Sequence, residues 1–179
     1  MRLFVAINFT GAFLDAVCEA VAELRAAALR GRYPARENLH LTLAFIGEST
    51  RVDDILDIMD EVSEELAAAD GGAEPIALSL SGAGMFGGRG GDLHWVGVAH
   101  SPRLKKLAVR LADALRAEGF DIERRRFTPH ITIGRQVVLA PGAQIRVPAA
   151  RMEAHGMSLM RSDRVKGRLV YTEVGYVAF

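Results

Sequence analysis

Apolar positions along the chain recur with two different periods, and the switches between them divide the sequence into short strands and longer helices. Arg2–Asn8 is short, rich in β-formers and followed by the polar turn Asn8-Phe9-Thr10-Gly11, which predicts a strand. Phe13, Leu14, Val17, Cys18, Val21 and Leu24 then fall at helical spacing, with Gly31 as the stop signal. A strand is expected over 39–46. Beyond Gly47, Thr50 and Asp53 have the form of a capping box, and Ile55, Ile58, Met59, Val62 and Leu66 make the stripe of a second helix ending near Asp70-Gly71-Gly72. Strands at 76–81 and 93–99 flank the glycine-dense stretch 82–91, which predicts a loop or wide hairpin connection. The third helix has the clearest boundaries: Ser101 caps it, Pro102 suits its first turn, Leu104, Leu107, Ala108, Leu111 and Leu115 line one face, and Gly119 closes it. Strands are expected to resume at 127–133, 144–147, 152–161 and 168–177.

This order argues for a mixed, largely antiparallel α+β fold with helices outside the sheets, against a doubly wound parallel sheet. No linker divides the chain, so 1–179 reads as one domain. Its 179 residues include 22 Lys+Arg and 22 Asp+Glu, so the molecule as a whole does not attract nucleic acid, and a phosphate partner needs a local cluster of donors. The single Cys18 makes no internal disulfide. No run reaches the roughly 18 apolar residues of a membrane span, and the first strand is too short for a signal-peptide core, which together place the protein in the cytoplasm as an expectation.

The most informative feature is an internal echo. A helix leads into a strand beginning His40-Leu41-Thr42-Leu43, and another leads into one beginning His130-Ile131-Thr132-Ile133. Side chains alternate along a strand, so each copy sets an imidazole beside a hydroxyl on one face and anchors an apolar pair in a core on the other. One such tripeptide reads most simply as a structural histidine. Two copies placed side by side surround one cavity with two imidazoles and two hydroxyls. That set suits phosphodiester chemistry without metal: a neutral histidine takes a proton from water, a protonated one gives a proton to the departing oxygen, and the threonines donate to phosphate oxygens.

With Arg2–Ile7, the block Glu37–Gly47 and the block Phe127–Arg135, the chain resembles the two-histidine (2H) phosphoesterases. Within them it is similar to the bacterial and archaeal RNA 2′,3′-cyclic phosphodiesterases, also called 2′-5′ RNA ligase-like proteins. The resemblance implies a bilobal fold of two pseudo-symmetric antiparallel sheets flanked by helices, with the catalytic cleft between them. It implies His40 as proton donor, His130 as proton acceptor, and Thr42, Thr132 and Arg135 as phosphate-binding residues, with no cofactor. The implied partner is RNA or an oligonucleotide with a 2′,3′-cyclic phosphate end, opened to a 2′-phosphomonoester. One closed domain with no heptads makes a monomer the expectation. The alternatives are a phosphodiesterase or reversible 2′-5′ RNA ligase acting on another cyclic or 2′,5′-linked nucleotide, and a noncatalytic nucleotide-binding module. Arg135 has the opposite strand parity to His130, so it faces the cleft only if the strand ends or bulges near Gly134. The closing segment 159–167 lacks the family's Leu-x-Pro-x-Gly turn.

Other signals carry less. Gly82-x-Gly84-x-x-Gly87 has the letters of a dinucleotide fingerprint, but no helix is expected to open within it. His94, His100 and His155 have no metal-ligand spacing with one another or with Cys18 and are expected at the surface or a sheet edge. Arg124, Arg125, Arg126, Arg32 and Arg36 either steer an RNA backbone or simply solvate an edge. Phe127, Tyr33, Phe86 and Trp95 are stacking candidates for which core packing is the plainer expectation.

Overall fold

A computed structural model describes all 179 residues. The elements, in chain order, are β1 (Arg2–Asn8), α1 (Gly11–Ala27), β2 (Ala28–Arg32), a 3-10 turn (Arg36–Asn38), β3 (His40–Glu48), α2 (Val52–Asp70), β4 (Ile76–Phe86), β5 (Asp92–Val98), α3 (Pro102–Ala117), β6 (His130–Leu139), β7 (Arg151–Ala154), β8 (Gly156–Val165) and β9 (Arg168–Ala178). They form a four-stranded sheet, β3-β1-β8-β9, and a five-stranded sheet, β2-β6-β5-β4-β7, in which every pairing is antiparallel. This is the α+β architecture that the element order implies.

Each helix buries the stripe its sequence marks: Phe13, Val17, Val21 and Leu24 on α1, Ile55 to Leu66 on α2, and Leu104 to Leu115 on α3. Ser101 caps α3 by accepting from the Leu104 N–H at 3.3 Å. Those side chains belong to one core of 38 buried residues drawn from both sheets and all three helices. The helices also interlock the sheets. Helix α1, which leads toward the first motif, packs on β6, the strand of the second; α3, which leads toward the second motif, packs on β3, the strand of the first. No helix is long and apolar enough to cross a membrane.

Several expectations need correction. Helix α1 stops at Ala27, and 28–32 becomes an edge strand on β6, pairing Ala28 with Leu139 and Arg32 with Arg135. A partner more than a hundred residues further along the chain takes up those backbone groups, and no local signal reports it. The expected Thr50–Asp53 capping box does not form: α2 starts at Val52 with Arg51 before it, and no side chain caps it. Only half of the glycine-dense stretch is a connection: β4 runs through Phe86, and 87–91 links it to β5 as a hairpin. Gly84 stands opposite Trp95, where a Cβ would clash with the six-membered part of the indole, so the glycine makes room for cross-strand packing. The fingerprint-like letters therefore run along the end of a strand into the turn after it, with no helix opening in them. Segment 127–129 precedes β6 instead of belonging to it, and 144–147 has no regular structure. The strand expected over 152–161 breaks at His155, with β7 in the five-stranded sheet and β8 in the four-stranded one. His94 is buried at 5% exposure in the central strand β5, whereas His100 and His155 are exposed.

Candidate active site

His40 is the first residue of β3, and His130 the first of β6. The alternation read from the sequence holds on both strands: Leu41, Leu43, Ile131 and Ile133 are buried, while His40, Thr42, His130 and Thr132 are half-buried on the other face. The strands belong to different sheets and share no ladder, but they lie against each other, so the two motifs meet across the junction of the lobes.

Both imidazoles are anchored in the same way. His40 Nδ1 lies 2.7 Å from the Asn38 carbonyl oxygen, and His130 Nδ1 lies 2.7 Å from the Thr128 carbonyl oxygen. A carbonyl only accepts, so each Nδ1 carries a hydrogen and each Nε2 is the atom free to exchange a proton. At His40, Nε2 is 3.0 Å from Thr42 Oγ1, and the hydroxyl donates to it when the ring is neutral.

Aromatic rings bracket both histidines. Phe4 and Tyr171 stand 4.9 and 5.3 Å from the His40 ring, and Phe86 and Trp95 stand 5.5 and 6.2 Å from the His130 ring. Phe86 and Trp95 therefore flank the site, while Phe127 and Tyr33 pack against the core as expected. The sequence reading missed Phe4 and Tyr171. Their signal lies in the unbroken apolar run of β1, which implies cover on both faces: Phe4 and Ala6 form a second small cluster with Met160, and Tyr171 packs on it.

Arg135 reaches this region by the bulge its parity requires. Gly134 pairs with His94 and Val137 with Asp92, so Arg135 and Gln136 stand opposite the single residue Leu93. Gln136 takes a left-handed φ of 52° to make the extra step.

Burial pushes the His40 pKa below its ordinary 6.5; the Asn38 carbonyl opposes this, and the positive charges of Arg135 and His130 lower it further. These groups together bias His40 of the free protein toward the neutral form. An anion bound between these groups would offset the two charges, though not the burial, and so raise the pKa again. We expect NMR titration of the His40 Cε1–H to give a midpoint below 6.5 in the free protein and a higher one in saturating inorganic phosphate. A midpoint that phosphate leaves unmoved would place the anion elsewhere.

The 2′-5′ RNA ligase superfamily model matches residues 13–166. An RNA 2′,3′-cyclic phosphodiesterase of Thermotoga maritima is 33% identical over 136 residues, covering 75% of this chain and 70% of the relative. A crystal structure of TT0787 from Thermus thermophilus superposes with a TM-score of 0.83 over 99% of this chain and 97% of the other at 24% identity, a likeness of fold. A crystal structure of LigT from E. coli complexed with 3′-AMP superposes at 0.74 over 99% and 97% with 28% identity. Matched by the family model over most of its length and by this fold throughout, the chain belongs to the 2′-5′ RNA ligase superfamily.

Proposed function

We propose that this protein hydrolyses the 2′,3′-cyclic phosphate at RNA ends, leaving the phosphate on the 2′ oxygen. The observation that carries the reading is the pair of imidazoles, each anchored at Nδ1 by a carbonyl two residues earlier and brought together from two sheets. A binding site alone needs no such pair of proton carriers. The names of the relatives, RNA 2′,3′-cyclic phosphodiesterases, supply the substrate class.

His130 Nε2 takes a proton from water as its oxygen bonds to phosphorus. The bond from phosphorus to the 3′ oxygen breaks in line with that attack, and His40 Nε2–H gives its proton to the departing oxygen. Exchange with solvent then restores both protonation states. Thr132 and Arg135 hold the non-bridging oxygens, and the Thr42 hydroxyl, which donates to neutral His40, is released to the phosphate once Nε2 gains its proton. Imidazolium thus supplies the charge at the leaving oxygen that a metal supplies elsewhere, and we assign the reaction no metal.

Incubating the protein with a cyclic-phosphate dinucleotide and reading the product by phosphorus NMR tests this. A 2′-phosphomonoester is expected, at a rate unchanged by exhaustive chelation. A predominant 3′-phosphate would refute the placement of His40 beside the 3′ oxygen, and loss of activity in chelator restored by one divalent ion would refute the metal-free step. Absence of turnover would leave the noncatalytic reading standing.

A further inference from the structure

The structure assigns a second anion subsite at the Arg32–Arg135 pair, which we infer holds an internucleotide phosphate of the RNA strand upstream of the cyclic end. The inference rests on the activity proposed above and specifies its substrate as an oligonucleotide. A cavity of about 490 Å³ opens beside the catalytic cleft, lined by Arg32, Arg135, Phe86, Leu93, Gln136 and the glycine turn after β4. Phe86 belongs to both places, since its ring lies perpendicular to that of His130 with centroids 5.5 Å apart while it also lines the cavity.

The cavity wall holds a like-charge pair. Arg32 and Arg135 are direct partners in the β2–β6 ladder, an arrangement that destabilises a sheet. Neither makes an ion pair with an acidic side chain, so no carboxylate offsets the repulsion between them. The backbone around the pair is also specialised. Gln136 holds its left-handed φ, and Gly91 lies so close to it that a Cβ there would stand 2.5 Å from the Gln136 carbonyl carbon. The glycine turn thus seats directly against the bulge and closes one side of the cavity. An anion between the two guanidinium groups turns their repulsion into binding.

That anion is not the reacting phosphate. His130 and Arg135 are five residues apart on one strand, about 16 Å at the usual rise. Arg135 stands between the two places, its charge felt at His40, so its several N–H donors serve both the reacting phosphate and the outer anion, whereas Arg32 lies at the far side of the pair, on edge strand β2. The other anions on an RNA ending in a cyclic phosphate are its own internucleotide phosphates, so the strand is led from the histidines past Phe86 toward Arg32.

The test compares three substrates in the wild type and in Arg32→Gln: a mononucleoside 2′,3′-cyclic phosphate, a tetranucleotide ending in one, and the same tetranucleotide with uncharged methylphosphonate linkages. In the wild type, kcat/KM for the charged tetranucleotide should exceed that for the uncharged one about tenfold, and Arg32→Gln should abolish this difference. Its melting temperature is expected to hold or rise, because the repulsion is relieved. Equal rates for charged and uncharged tetranucleotides in the wild type, or a charge preference that survives Arg32→Gln, would overturn the subsite. Failure of the wild type to turn over even the mononucleoside would instead overturn the activity on which it rests.

Discussion

Replacing either His40 or His130 by alanine is expected to lower turnover of a 2′,3′-cyclic-phosphate dinucleotide by at least about 100-fold, the low end of what a positioned acid or base contributes and equivalent to about 2.7 kcal/mol of barrier. Each ring delivers a different proton. Without His40 the 3′ oxygen departs as an alkoxide, and without His130 the attacking water keeps its proton until after the bond to phosphorus forms. Because both act in one displacement, the double variant should be only slightly slower than either single one. Alanine also leaves the Asn38 or Thr128 carbonyl without its imidazole donor, so the measurement is paired with His→Gln variants and a melting curve. Near-wild-type turnover by a folded form of either variant would remove the mechanism, and strictly additive losses would mean that the histidines serve separate steps.

The back faces of the same two strands should matter to stability on a comparable scale. Leu41 and Ile131 are fully buried, each flanked on its strand by the histidine and threonine of its motif. Truncating a buried Leu or Ile to alanine costs about 2–5 kcal/mol through lost transfer energy and the cavity left behind. For a chain of this size that lowers Tm by roughly 4–20 °C. Phe45→Ala, on the same strand but 51% exposed, should cost less than Leu41→Ala. Leu41→Ala and Ile131→Ala are expected to lower turnover modestly while the fold persists, since the strand carrying each histidine loses its anchor. Should Phe45→Ala destabilise as much as Leu41→Ala, the assignment of β3's two faces would be wrong.

His40 and Thr42 share a face with each other, as do His130 and Thr132, because alternation along a strand is set by backbone geometry within a few residues. The helix stripes, the Ser101 cap and the requirement for a bulge before Arg135 were legible for the same reason. Each depends on near neighbours in sequence, and the bulge followed from parity alone. The helix end at Ala27, the break at His155 and the strand through Gly82–Phe86 were not legible there. Each is decided by a distant partner: the free edge of β6, the transfer of the chain from one sheet to the other, and the Trp95 ring opposite Gly84.

The sequence by itself determined the chemical inventory and its local orientation: two imidazole–hydroxyl pairs, each facing away from an apolar anchor. Only the tertiary structure decided that the pairs meet. They sit on different sheets, and the crossed packing of α1 on β6 and of α3 on β3 brings those sheets together. It also bracketed each histidine with two aromatic rings and set Arg32 opposite Arg135. Such juxtapositions depend on contacts between segments far apart in the chain, whose burial must outweigh the entropy of closing long loops, and residue spacing carries no record of that balance.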